Sequence, residues 1–142
     1  SKCTQLNTFY MGGGINTAMK VQTLKPLAEL QQLQKLTLMN LKVKDDSLEP
    51  LMQLKNLKEL SLSNQFKVEE YAKLSVALPY TVCESFKPYV YMNDAIDGKN
   101  IMVTGRRRPV LNSKTDTVKM QKYEERFKKL QEEYKALVES TM

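Results

Sequence analysis

Histidine is absent from all 142 residues, and with it the commonest general acid/base and the commonest metal ligand. Ser/His/Asp and Cys/His catalysis and His-bearing zinc sites are therefore excluded, and no other nucleophile has an identifiable base. The expectation is a protein that is not an enzyme and carries no cofactor and no metal. Tryptophan is absent too, and the two cysteines, Cys3 and Cys83, are too few for a disulfide framework or a four-sulfur zinc site and are not spaced as C-x-x-C. Such sparing use of cysteine fits a reducing, cytoplasmic compartment. No apolar run approaches the roughly 18 residues of a membrane span, and no basic-then-apolar leader is visible. The scarce glycines cluster once, as Gly12-Gly13-Gly14 before Ile15-Asn16-Thr17. That string lacks the Gly-Lys-Ser/Thr ending of a phosphate loop and reads as a turn. Asp45-Asp46 has no further acid close in sequence and reads as a turn or helix cap, not as a metal site.

What the chain does have is an internal repeat. A shift of 24 residues superposes Leu24 on Leu48, Pro26 on Pro50, Leu27 on Leu51, Leu30 on Leu54, Leu33 on Leu57, Leu36 on Leu60, Leu38 on Leu62 and Asn40 on Asn64. The repeated string is L-x-P-L-x-x-L-x-x-L-x-x-L-x-L-x-N. Weaker copies of its L-x-x-L-x-L core lie upstream at Leu6, Phe9 and Met11 and downstream at Leu78, Thr81 and Cys83. A period of 24 falls within the range of leucine-rich repeats, and from these residues the chain resembles that family, as a short bacterial-type array with a non-repeat C-terminal extension. The Asn stands one residue early in both strong copies, with Leu41 and Gln65 at the family's usual place.

The resemblance implies an α/β fold, a leucine-rich repeat solenoid over residues 1–86 with about four parallel strands and short convex helices. Strands are expected at residues 33–38 and 57–62, where leucines two apart share one face; the leucines three apart before them suit a short helix or 3₁₀ turn. Strands stack about 4.8 Å apart, so Cys3 before the first strand and Cys83 in the fourth should be at least about 14 Å apart. That is beyond the roughly 7 Å Cα separation a disulfide tolerates. Both are expected as free thiols, with Cys83 a small buried residue.

Residues 87–142 read as a C-terminal capping segment with a basic loop and an amphipathic helix, since a solenoid must cover its last apolar face. Residues 87–91 look like an extended exit, residues 93–100 a polar turn containing Asp97-Gly98, and residues 101–104 an extra strand. The last segment predicts a long helix, with Ser113 or Thr115 as N-cap and Asp116 in its first turn. Met120, Tyr123, Phe127, Leu130, Tyr134 and Leu137 are spaced 3, 4, 3, 4, 3 and form one apolar stripe. The opposite faces carry Glu124, Glu125, Lys128, Lys129, Glu132, Glu133 and Lys135, a solvated pattern. The stripe covers only about three heptads and includes two tyrosines. Capping of the chain's own core, as a monomer, is favoured over helix-mediated dimerisation.

Two functional readings follow. Similarity to leucine-rich repeat proteins implies recognition of a macromolecule, a protein partner, on the concave face of the sheet. The residues that would carry it are Thr8 and Tyr10, then Lys35, Thr37 and Met39, then Glu59, Ser61 and Ser63, then Tyr80, Val82 and Glu84. The alternative rests on charge: residues 99–122 hold seven cations against Asp116 alone, a balance equal to the chain's whole net charge of +6. Arg106, Arg107, Arg108 and Lys114 could hold a polyanion or nucleic acid, because guanidinium groups bind phosphate bidentately. No helix-turn-helix or zinc module accompanies them. The plainer role for these cations is solvation or pairing with Asp45, Asp46, Glu69 or Glu70.

Overall fold

In the computed structural model, which describes residues 7–13, 17–106 and 108–141, the 24-residue period of the sequence is also a period of the backbone. Strands β1 (Thr8–Gly12), β3 (Lys35–Met39) and β5 (Glu59–Leu62) form a parallel sheet in that order, with Lys35 opposite Glu59 and Leu36 opposite Leu60. A second parallel pair, β2 (Met19–Val21) with β4 (Leu41–Val43), follows the first two strands. The 3₁₀ turns Lys25–Glu29 and Glu49–Gln53 are near copies: the residue before each has φ −93°, ψ 4° at Leu24 and φ −95°, ψ 2° at Leu48. Pro26 and Pro50 stand in the first turn of each, where a missing N–H does no harm and a fixed φ helps.

All twelve leucines of the two strong repeats are buried, Leu24, Leu33 and Leu36 completely so, as are Leu48, Leu51 and Leu54. Each buried leucine contributes about 1.5–3 kcal/mol relative to exposure. Stacking equivalent positions makes one continuous core that no single repeat could enclose.

The third unit departs from this pattern. Helix α1 (Val68–Ala77) takes the place of the short turn and buries Val68, Tyr71, Ala72 and Leu74. The Tyr71 hydroxyl donates to the Ser63 carbonyl at 2.5 Å and accepts from the Phe66 amide at 3.2 Å. Beyond α1 the expected fourth strand is reduced to a single parallel bridge between Val82 and Glu59. The sheet thus has three strands and a bridge, not four strands. The repeat spacing predicts Val82 opposite Ser61; the observed pairing is two residues out of that register. Its physical reason is local: the Thr81 hydroxyl donates to the Leu57 carbonyl at 2.8 Å, and the Val82 amide to Lys58 at 2.8 Å. These bonds anchor the segment at the start of β5.

Instead of one extra strand, the C-terminal part contains an antiparallel sheet of β6 (Tyr89–Ile96), β7 (Lys99–Val103) and β8 (Val110–Leu111). Its hairpin turns at Asp97 (φ 52°) and Gly98 (φ 78°). Positive φ at both central residues is the turn geometry whose twist matches a hairpin, and Asp-Gly is among its preferred pairs. Residues 89–91 of the expected extended exit and residues 93–96 of the expected polar turn are strand β6, and residues 99–100 already belong to β7.

Helix α2 (Thr117–Thr141) starts later than expected. Asp116 precedes it: its carbonyl accepts from the Met120 amide at 2.9 Å and its carboxylate from the Asn112 amide at 2.8 Å. Ser113 and Thr115 sit in the turn before, so neither caps the helix. The apolar stripe of α2 joins two cores. Met120 is buried with Ile101, Val103 and Leu111, flanked by Tyr89 and Tyr123, whereas Phe127, Leu130 and Tyr134 pack on the leucine core. Leu137 lies past both and is 59% exposed. The architecture is mixed α/β, with small sheets and a long C-terminal helix. Among the described residues, no helix is long and apolar enough to cross a membrane.

Candidate functional site

Side chains alternate across a strand, so the inward leucines of β3 and β5 leave the residues between them on the opposite face. The parallel register aligns Thr8, Lys35 and Glu59 in one row, Tyr10, Thr37 and Ser61 in the next, and Gly12 with Met39 in a third. Tyr10 is 62% exposed. At the end of its strand only glycine fits, because a Cβ on Gly12 would lie 2.3 Å from the Met39 carbonyl oxygen. Lys35 and Glu59 pair at 3.4 Å in the open, an arrangement worth at most about 1 kcal/mol.

The register change moves the last three expected residues. Val82 extends the first row and is 72% exposed. Tyr80 leaves the rows altogether, standing out at 94% exposure in the turn between Leu78 and Thr81. Glu84, in the 3₁₀ turn Glu84–Phe86, comes to line a cleft together with Met39, Ser61 and Ser63.

This cleft, about 250 Å³, lies between the exposed face of β5 and one face of the β6–β7 hairpin. Val90 and Met102, paired across the hairpin, form its far wall with Thr104, and Leu60, Leu62, Asn64 and Ser85 complete the lining. Asn64 holds the two walls together: its Nδ2 donates to the Val103 carbonyl at 2.9 Å and its Oδ1 accepts from the Gly105 amide at 2.7 Å. The Thr104 hydroxyl donates to the Lys87 carbonyl at 2.5 Å, and the Arg106 amide to the Phe66 carbonyl at 2.7 Å. Asn40, the equivalent of Asn64 by sequence, does something else. It has φ 52°, donates to the Thr17 carbonyl at 3.3 Å and accepts from Gln65 at 3.3 Å. One Asn ties repeat to repeat; the other ties the last repeat to the C-terminal sheet.

Cys83 is a free, buried thiol whose pKa is pushed up by burial, which makes it a packing residue and not a nucleophile. Cys3 lies outside the described residues. Among the described residues, no three Asp, Glu or Cys side chains gather as metal ligands would. What the cleft offers is hydroxyl and amide hydrogen bonding, one carboxylate and two flexible methionines.

No family model, curated protein or solved structure matches this chain. Of the basic residues named from sequence, Arg106 is held by Asp46 through two guanidinium contacts of 3.2 and 2.8 Å, and Arg108 lies over the Tyr123 ring at 5.7 Å from its centroid. Lys114 is exposed in the turn before α2, its amide bonded to Asn112 Oδ1 at 2.8 Å. Arg107 lies outside the described residues. The described three have separate surroundings. The repeat pattern had no way to find Ser85, Val90, Met102 and Thr104. The signal that could have found the latter three is the Asp97-Gly98 pair with alternating residues on either side.

Proposed function

We propose that residues 1–86 are a short leucine-rich repeat array and that its exposed sheet face, continued into the cleft beside β6–β7, recognises a protein partner by non-covalent contact. The supporting observation is the continuity of the rows through Tyr10, Thr37 and Ser61 with a cleft that contains Ser63, Glu84 and Met102. At about 250 Å³ the cleft is smaller than the roughly 300–1,000 Å³ of typical metabolite pockets. It suits one side chain projecting from a larger partner. Tyr10, Val82 and Met102 are exposed, and aromatic and methionine side chains are enriched where proteins meet.

The test is a peptide library displayed on phage and selected against the purified protein, followed by titration of the enriched peptides. Ser61→Arg should abolish binding by filling the cleft, and Tyr10→Ala should weaken it about tenfold or more while changing stability by less than about 1 kcal/mol. Gln53→Arg, on the turn Glu49–Gln53, should leave binding unchanged. Peptides that bind Ser61→Arg and Tyr10→Ala as well as the parent protein would refute the assignment.

A further inference from the structure

A second surface feature, separate from the cleft, comes from α2 and the loop before β8. Arg108, Lys122, Tyr123, Glu125, Arg126 and Lys129 line a groove of about 340 Å³. Lys122, Arg126 and Lys129 stand at i, i+4 and i+7, so they share one face of the helix, about 6 and 10.5 Å along its axis from the first. Arg108 adds a fourth cation from the flank, its guanidinium stacked over Tyr123. Glu125 is the one acid in the lining. Arg126 also reaches Glu69 at 3.8 Å through a single long contact between partly exposed side chains, a pairing too weak to withhold it from a stronger anion. The five charged lining residues are exposed.

We propose that this groove binds the phosphodiester backbone of a nucleic-acid duplex. Cations repeated at one-turn intervals along a line match a ligand whose negative charges also repeat along a line, and arginine forks fit phosphate oxygens. The one aromatic ring in the groove is already covered by Arg108, so bases have no platform on which to stack. The contact is therefore to phosphates, and binding is independent of base sequence. This is not the set named from sequence: Arg106 is engaged by Asp46, Lys114 is not in the lining, and Lys122, Arg126 and Lys129 take their place.

The experiment is fluorescence anisotropy of a labelled 20-base-pair DNA duplex titrated with the full chain at 50 and 200 mM salt. Three to four phosphate contacts correspond to a fall in affinity of about 40- to 150-fold between those salts. Lys122→Glu with Lys129→Glu should weaken binding at 50 mM more than about tenfold. Lys20→Glu with Lys42→Glu, the same charge change placed on β2 and β4, should weaken it less than about threefold. Equal losses in the two double variants would show that net charge alone attracts DNA, and would overturn the site. Failure of the duplex to bind at 50 mM would overturn it too. So would displacement of the duplex by polyglutamate of equal total charge, which would make the groove a site for acidic peptides.

Discussion

The two strong repeats and the C-terminal segment are held together by contacts of different range. Between repeats, partners lie one period apart: Lys35 faces Glu59, Leu36 faces Leu60, and the Thr81 hydroxyl reaches back 24 residues to Leu57. The C-terminal segment is joined to the rest by contacts spanning 41 residues from Asn64 to Gly105, 60 from Asp46 to Arg106, and 82 from Met52 to Tyr134. A repeat carries a copy of its own partner surface, so it is visible when the chain is compared with itself. A segment that docks on something unlike itself leaves only half of the interaction in its own sequence.

The largest loss is expected where the two regions meet. Phe127 is buried in the leucine core at 3% exposure, and Phe127→Ala should destabilise the protein by about 3–5 kcal/mol in urea unfolding. Leu137 belongs to the same stripe but is exposed, and Leu137→Ala should stay within about 0.5 kcal/mol. Next is Asn64→Ala, which leaves the Gly105 amide and the Val103 carbonyl without their partner and should cost about 1–3 kcal/mol. Its effect on amide exchange should be concentrated at the end of β7.

A smaller effect belongs to Tyr71, whose hydroxyl burial raises well above the ordinary phenol value of 10. The folded protein keeps this proton while the unfolded chain releases it. Its contribution is therefore fully present below pH 10 and is lost as pH rises above it, at a slope of up to about 1.4 kcal/mol per pH unit. Tyr71→Phe should lose about 1 kcal/mol at neutral pH and show a shallower decline above pH 10 in the same unfolding assay. Asp46→Asn, which weakens the partly buried bidentate pair with Arg106, should cost about 1 kcal/mol, and the loss should shrink as salt is added.

The leucines, the prolines in the first turns and the inward face of β3 and β5 were all legible, because periodicity alone specifies them. Cys83 was also correctly read as buried. The exposed residues near it were misplaced because the pairing register is fixed by the Thr81 and Val82 hydrogen bonds, which no spacing encodes. Strand β6 was hidden because Asn93, Asp94 and Ala95, poor strand formers, are held in the strand that pairs with β7. The apolar stripe of α2 was legible as a stripe, and Met120 and Phe127 on it are buried, but its division between two cores was not legible. Met120 and Phe127 look alike in sequence and differ only in what the fold sets opposite them. Of the helix cations in the groove, Lys129 was read as solvated charge and Lys122 was counted in the basic segment 99–122; their placement with Arg108 on one face depends on the fold.

Because α2 packs on both cores, the repeats and the C-terminal sheet are expected to open as one cooperative unit, with the two walls of the cleft held at a fixed distance. Native-state amide hydrogen exchange tests it most directly, read at Leu36 and Leu38 in β3 and at Ile101 and Val103 in β7. The two pairs should exchange with the same opening free energy, and Phe127→Ala should lower both by the same amount, about 3–5 kcal/mol. Loss of protection in β7 with β3 unchanged would contradict the claim, because the cleft would then lie between two parts that open independently.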